Sequence, residues 1–269
     1  MRRVLILIVL TLGLVLPRPA VAAWAHVQTS SSSTAANADT DWAQAYGSNV
    51  TAGSLLVCEV GWYNTPTVSS VADGTNTWTK IGATVTVAST GGNWNINLWY
   101  AMNAASGATT VTTTFSANPT IVHMICSEFS GIATSSALDQ QRSDSAQTDP
   151  GTATDAVTSG ATSATGANNE LVVGASIAPP NAGTTTYAAG TSYTIPTNGT
   201  GNDGTWMAFA LEYMNLASAG AATATFTLSG VGAGTADTAT IVATFKEPAA
   251  GVTSKPCGQL LLGVSRPCP

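Results

Sequence analysis

The sequence predicts an all-β protein, an antiparallel β-sandwich of jelly-roll or lectin-like type built from two similar halves. Three observations predict it. Short runs rich in Val, Ile, Thr and aromatic residues recur between clusters of Gly, Asn, Asp and Pro, the pattern of strands separated by turns. No stretch holds an apolar 3.6-residue period with caps at both ends, which leaves no helix to expect. The later part of the chain also echoes the earlier part at a nearly constant offset.

The chain opens with Met1, Arg2 and Arg3, an apolar run from Val4 to Leu16, and the small-residue stretch Ala20-Val21-Ala22. That order reads as a secretory signal over residues 1–22, cleaved after Ala22. The apolar run is 13 residues long, short of the about 20 that a spanning helix needs. Cleavage removes Arg2, Arg3 and Arg18, leaving five basic side chains against 14 acidic ones, a net charge near −9. Phosphate backbones need clustered Lys and Arg, so nucleic acid is excluded as a partner, and so is an anionic membrane surface. Charged residues make up 8% of the chain, against roughly 25% in ordinary domains, so hydroxyls and amides must keep the surface wet.

Expected strands run from Ser54 to Trp62, Trp78 to Ala88, Trp94 to Met102, Thr109 to Phe115 and Ile121 to Phe129. Later ones run from Leu171 to Ile177, Thr205 to Tyr213, Ala222 to Leu228 and Thr238 to Phe245. The tract Ser30 to Thr34 reads as loose, and Ala72-Asp73-Gly74-Thr75-Asn76 as a turn in which Gly supplies positive φ.

Ser54-Leu55-Leu56-Val57 matches Glu170-Leu171-Val172-Val173 at an offset of 116, and Thr77-Trp78 matches Ser192-Tyr193 at 115. Tyr100 matches Tyr213 at 113, and Ile125 and Phe129 match Ile241 and Phe245 at 116. A near-constant offset over several strands marks a duplication, with halves at about 45–135 and 160–248. Two organisations fit it. The Thr/Ser/Ala/Gly-rich segment Ser143 to Asn168 suits a linker between tandem sandwiches. Ala156-Val157-Thr158 inside it suits a short strand, and apolar faces from both halves can share one core, which favours a single unit over 23–248 followed by a tail over 249–269.

Four cysteines in an exported chain imply disulfides. Cys58 and Cys126 lie in expected strands 68 positions apart, and their echo positions are Gly174 and Val242. Both are missing together, as a bonded pair would be, and the placement suits an inter-sheet staple. Cys257 and Cys268 would close a small C-terminal loop.

The chemistry of catalysis is sparse. His26 and His123 are the only near-neutral bases, and there is neither a Gly-x-Ser-x-Gly elbow nor a His-x-x-x-His pair. His123 shares strand parity with Ile121 and Ile125 and reads as a partly buried core residue. Glu59 and Glu128 are the acids to weigh for glycoside cleavage, with Asp139 and Asp203 beyond them. Glu59 should face away from the core if Cys58 faces in, whereas Glu128 shares parity with Cys126, and opposite facings make a poor pair. The Glu-x-Asp-x-x-Glu strand motif that would group three acids is absent.

Aromatic rings offer a route to function without catalytic partners, since flat faces stack on sugars. Trp62-Tyr63 leads toward a loop, and Trp42 with Tyr46 falls in a polar stretch, so Trp42, Trp62 and Tyr63 are the candidate ligand-binding residues. Trp78, Trp94, Trp99 and Trp206 occupy strand positions and read as core. No cofactor is required. Asp73 with Asn76, and Asn202 with Asp203, offer oxygens of the kind Ca²⁺ takes, although turn chemistry alone accounts for them.

The residues Gly53-Ser54-Leu55-Leu56-Val57, Val71-Ala72-Asp73-Gly74, Asn76-Thr77-Trp78, Trp99-Tyr100-Ala101, Gly107-Ala108-Thr109-Thr110-Val111, Glu128-Phe129-Ser130-Gly131 and Ala243-Thr244-Phe245-Lys246 carry a resemblance. Over roughly Val50 to Glu247 the chain resembles a group of uncharacterised bacterial exported proteins with lectin-like or jelly-roll β-sandwich domains. The resemblance implies a fold and an extracellular place, and brings no activity or site with it.

The expectation is therefore a secreted or cell-surface binding module for carbohydrate or another cell-surface polymer. The alternatives are a structural or adhesive subunit joined through strand edges and, behind it, a secreted glycoside hydrolase.

Overall fold

The computed structural model describes residues 23–89, 92–107, 109–147, 154–179, 185–202, 207–230 and 238–249. Among them every regular element is a strand. The first half carries β1 (Ala25–Thr34), β2 (Asp41–Ala45), β3 (Leu55–Tyr63), β4 (Val68–Ala72), β5 (Thr79–Ser89), β6 (Gly92–Ala101), β7 (Thr110–Phe115) and β8 (Val122–Ser130). The second carries β9 (Leu138–Gln147), β10 (Thr154–Thr158), β11 (Glu170–Ala178), β12 (Thr186–Ala189), β13 (Thr200–Asn202), β14 (Ala208–Leu216), β15 (Thr225–Ser229) and β16 (Thr238–Phe245).

Each half is a two-sheet sandwich of the same winding. A five-stranded sheet, β1-β8-β3-β6-β5, faces a three-stranded sheet, β2-β7-β4, and the second half repeats this as β13-β14-β11-β16-β9 and β10-β15-β12. Within a half the first strand pairs with the eighth, the second with the seventh and the third with the sixth, the nesting of a jelly roll. The echo holds down to register. Val57 stands opposite Tyr100 as Val173 does opposite Tyr213, and Cys58 opposite Cys126 as Gly174 does opposite Val242.

The two five-stranded sheets pack face to face. One buried cluster draws on both, with Leu55, Val57, Ile96, Leu98 and Ile125 from one half and Leu171, Val173, Phe209, Leu211 and Ile241 from the other. Separate clusters fill each sandwich, so the layers run three, five, five, three. The inner sheets are covered on both sides. That is why β3, β8, β11 and β16 read as near-continuous apolar runs without clean alternation.

The stacking is reciprocal. Tyr100 meets Phe245 at 5.7 Å between ring centres, and the echo residues Tyr213 and Phe129 meet at 5.5 Å. β5 lies against β9 and β1 against β13, so the first strand of each half lies beside the fifth strand of the other. This is the geometry of a self-complementary two-fold interface, contained in one chain.

Several expectations change. Ser30 to Thr34 is not loose, because it completes edge strand β1 with Thr34 opposite Val122. The segment with linker composition holds the second half of β9 and all of β10. The Cys58–Cys126 disulfide does form, yet it does not staple two sheets: the residues are direct partners on adjacent strands of one sheet, with Cα atoms 4.1 Å apart. Cys257, Cys268, Asp203, Trp206 and the signal segment lie outside the described residues.

Candidate functional site

The aromatic residues singled out by sequence are engaged with the protein's own core to different degrees. Trp62 is 1% exposed, packs edge-on to Phe115 and donates its indole N–H to the Pro66 carbonyl at 2.6 Å. It faces the core of the first sandwich because β3 runs on through Tyr63 instead of opening into a loop. Trp42 is half-buried in β2, packs on the same core and donates to Ser32 Oγ at 3.1 Å. Tyr46 is buried, with its hydroxyl donating to the Ser127 carbonyl. Tyr63 is half-buried against Trp94, with ring centres 4.8 Å apart.

Asp73 and Asn76 close a turn. Asp73 Oδ1 accepts the amides of Thr75 and Asn76 at 2.9 and 2.7 Å, and Oδ2 accepts the Asn76 side-chain amide at 2.6 Å. Burial pulls this carboxyl up, but the hydrogen bonds from Asn76 and Thr75 work against it, and the group is held below its ordinary value. Its oxygens are therefore committed to the turn. Among the described residues no group of three or more His, Cys, Asp or Glu gathers as a metal ligand set.

The acids serve as internal scaffolding. Glu128 binds the Thr51 amide and Ser54 hydroxyl through Oε1, both at 2.8 Å, and Gln28 through Oε2 at 2.6 Å. Glu212 accepts the amides of Gly190 and Thr225, and burial, working against those bonds, pushes it up to about 7. Asp139 accepts the Gly166 amide at 2.6 Å and lies beside Glu170 and Lys246. Burial raises Glu170 to about 7, with Asp139 adding to the rise against the hydrogen bonds from Thr244 and Ala167.

Glu59 does sit on the sheet face opposite Cys58, but that face is not solvent: it is the layer between the halves. There His123 Nε2 and Glu59 Oε1 lie 2.9 Å apart, both fully buried. Burial alone pushes Glu59 well above its ordinary value and pulls His123 down to about 3, so the pair is held neutral. The His123 ring lies across Gly61, its partner on β3, and stacks at 4.0 Å on Phe209 of the other half, which in turn lies across Gly201. A side chain at either glycine would overlap a ring, which is why glycine stands there. No solvent reaches the pair, so it is a structural element of the seam.

The described surface does hold a groove, of about 530 Å³, where β1 meets the second half. A bulge builds its wall. His26 stands opposite Phe129 and Gln28 opposite Glu128, leaving Val27 unpaired and 43% exposed. The extra residue turns the strand, so that His26 and Thr29, three apart, meet at 2.7 Å between Nε2 and Oγ1. His26 stacks on Tyr213, with centres 5.1 Å apart and planes 13° from parallel, and Trp24 meets Tyr213 edge-on. The opposite wall is the loop from Thr194 to Asn198, which departs from the sheet after the bridge of Thr194 with Tyr213 and ends as Asn198 Nδ2 donates to the Thr29 carbonyl at 3.2 Å. Burial holds His26 below its ordinary value, against the raising effects of Gln28 and Glu128.

Sequence reasoning missed this groove because it belongs to neither half. Tyr213 was visible as the echo of Tyr100, but that β1 lies beside it follows only from how the halves stack. Compared with protein-family models, with curated proteins and with solved structures, the chain matches none of them.

Proposed function

We propose that the protein is an exported binding module of the cell surface or surrounding medium, and that the groove between β1 and the Thr194–Asn198 loop receives its ligand, a carbohydrate or other cell-surface polymer. The observation that carries this reading is the half-exposed stack of His26 on Tyr213 set beside hydroxyl and amide side chains in an open cleft. Ring surface with a few placed polar groups is the usual chemistry of a recognition site. The Cys58–Cys126 disulfide fits an oxidising compartment, and the signal-like residues 1–22 fit export. Of the acids found by sequence, Glu128 and Asp139 are tied to backbone amides and Glu59 is enclosed between sheets, so the groove is read as a binder and not as a hydrolase.

The test is retention on immobilised extracellular polysaccharides. The mature chain should bind at least one of them, and Thr197→Trp, which fills the groove, or His26→Ala, which removes the stack, should release it. Retention that neither substitution weakens would place the site elsewhere.

A structural or adhesive role is the second reading. It is favoured by the solvent faces of the outer sheets, where Thr110, Thr112 and Thr114 of β7 and Thr225, Thr227 and Ser229 of β15 form hydroxyl rows without charge. Concentration-dependent assembly in sedimentation would support it, and a strict monomer would remove it.

A further inference from the structure

We infer that the groove takes an uncharged, hydroxyl-rich sugar chain, with one seat per protein molecule. The inference rests on the binding role proposed above and adds the chemistry of the ligand.

Charge is the first argument. No residue lining the groove is Lys, Arg, Asp or Glu. Behind Gln28 lies the side chain of Glu128, at 2.6 Å from its amide, and the whole chain carries a net −6. An anionic polymer such as a polyuronate would meet this negative field with no cation to offset it. His26 supplies none, because burial holds it below its ordinary value.

The second argument is what the walls offer. The Gln28 amide is consumed by the Ser48 carbonyl and Glu128 on its nitrogen and by Ser48 on its oxygen. Thr194, Thr197 and Asn198 are exposed on the facing loop, and of their side-chain polar atoms only Asn198 Nδ2 is engaged among the described residues. Hydroxyls and an amide carbonyl beside an imidazole–phenol stack suit a ligand with alternating C–H faces and hydroxyl edges. An extended peptide is a poorer fit. It would add to the β1 edge by backbone pairing, and the bulge at Val27 breaks that ladder.

The third argument is the duplication, which supplies an internal control. The second seam, where β5 meets β9, holds a different depression, of about 320 Å³ and lined by Ala83, Thr84, Val85, Thr86 and Ser143, which neither Leu138 nor Tyr100, the counterparts of His26 and Tyr213, lines. Leu138 stands opposite Phe245 there as His26 stands opposite Phe129 here, and Tyr100 is buried where its echo Tyr213 is half-exposed. Among the described residues the aromatic seat exists at one seam only.

Calorimetric titration of the mature chain with neutral hexasaccharides (cello-, xylo- and malto-hexaose) and with hexagalacturonate tests this. At least one neutral oligomer should bind at one per chain, and hexagalacturonate should not bind even at low salt, where charge effects are largest. Asn198→Gly should weaken the neutral ligand roughly tenfold. Asn198 has a φ of 64°, so glycine keeps the backbone while removing the amide. Two sites per chain, or uronate binding as tight as neutral binding, would overturn the inference. Polysaccharide retention that Thr197→Trp abolishes, with no neutral oligomer bound, would overturn it and leave the binding role standing. No response to any groove substitution would remove both.

Discussion

A carboxylic acid and an imidazole enclosed together between two sheets make folding respond to pH from both sides. In the unfolded chain Glu59 titrates near 4.5 and His123 near 6.5, whereas in the fold Glu59 is raised well above 4.5 and His123 is lowered to about 3. Below pH 4.5 the unfolded chain binds two protons at these residues and the folded one binds one, so stability falls as pH falls. Between 4.5 and 6.5 each state holds one proton and the pair is neutral to pH. Above 6.5 the unfolded chain holds none while folded Glu59 keeps its own, so stability falls again as pH rises. Glu170 and Glu212, raised to about 7, add to the loss between 4.5 and 7. Glu59→Gln imitates the protonated acid without removing volume. Compared with the native chain it should lose the decline that Glu59 gives above pH 6.5, and its acid-side decline, now from His123 alone, should begin below 6.5 instead of 4.5, so the two curves diverge by up to about a factor of ten in the folding equilibrium per pH unit. Denaturant unfolding of both proteins between pH 4 and 9 measures this, and parallel curves above 6.5 would show that Glu59 is ionised in the fold.

Strands whose side chains fill a core announced themselves, and strands held chiefly by their ladders did not. Thr238–Phe245 was bounded correctly because every residue in it is buried apolar or small. β1 escaped because Ser30, Ser31, Ser32 and Ser33 give no apolar signal. They are strand because their backbones pair along β8, with side chains half-buried at a sheet edge. The second half of β9, from Ser143, has the composition of a linker for the same reason, although Thr240 to Ala243 pair with Asp144 to Gln141 along the strand. The candidate site was less legible still. Trp62 reads as available only while β3 is taken to open into a loop at Trp62-Tyr63, and it runs on through Tyr63 instead; Asp73 and Asn76 are legible as turn residues, which is what they are. The disulfide is the element-scale feature read correctly as a pair and wrongly in geometry, since strand positions alone do not say whether β3 and β8 are neighbours. Closing a separation of 68 residues stabilises by roughly 4 kcal/mol in the chain-entropy account. The double variant Cys58→Ala/Cys126→Ala should therefore lose about that much in denaturant unfolding. A loss under about 1 kcal/mol would mean that the packing of β3 on β8 already restrains the unfolded chain.

For the whole molecule the duplication decides how the protein must unfold. The buried layer between the inner sheets takes residues from both halves, and its two halves are tied by reciprocal contacts, Tyr100 on Phe245 and Tyr213 on Phe129. Neither five-stranded sheet can leave the other without exposing the apolar face it buries in the shared layer, so separation and unfolding should occur together. Chemical denaturation followed by near-ultraviolet circular dichroism and by far-ultraviolet signal should give one coincident transition. Phe129→Ala and Phe245→Ala, each removing one side of a reciprocal contact, should cost about 3–5 kcal/mol apiece and lower the midpoint of that single transition. Because the two contacts are separate sites, their losses should add in the double variant to within about 0.5 kcal/mol. Two resolved transitions, with Phe129→Ala moving one and Phe245→Ala the other, would mean that the halves fold independently and that the shared layer is a docking surface between finished sandwiches. The groove between β1 and the Thr194–Asn198 loop would then open and close with that docking, and ligand binding would raise the midpoint for separation of the halves. If the layer is a true common core, a ligand in the groove should instead raise the one global midpoint.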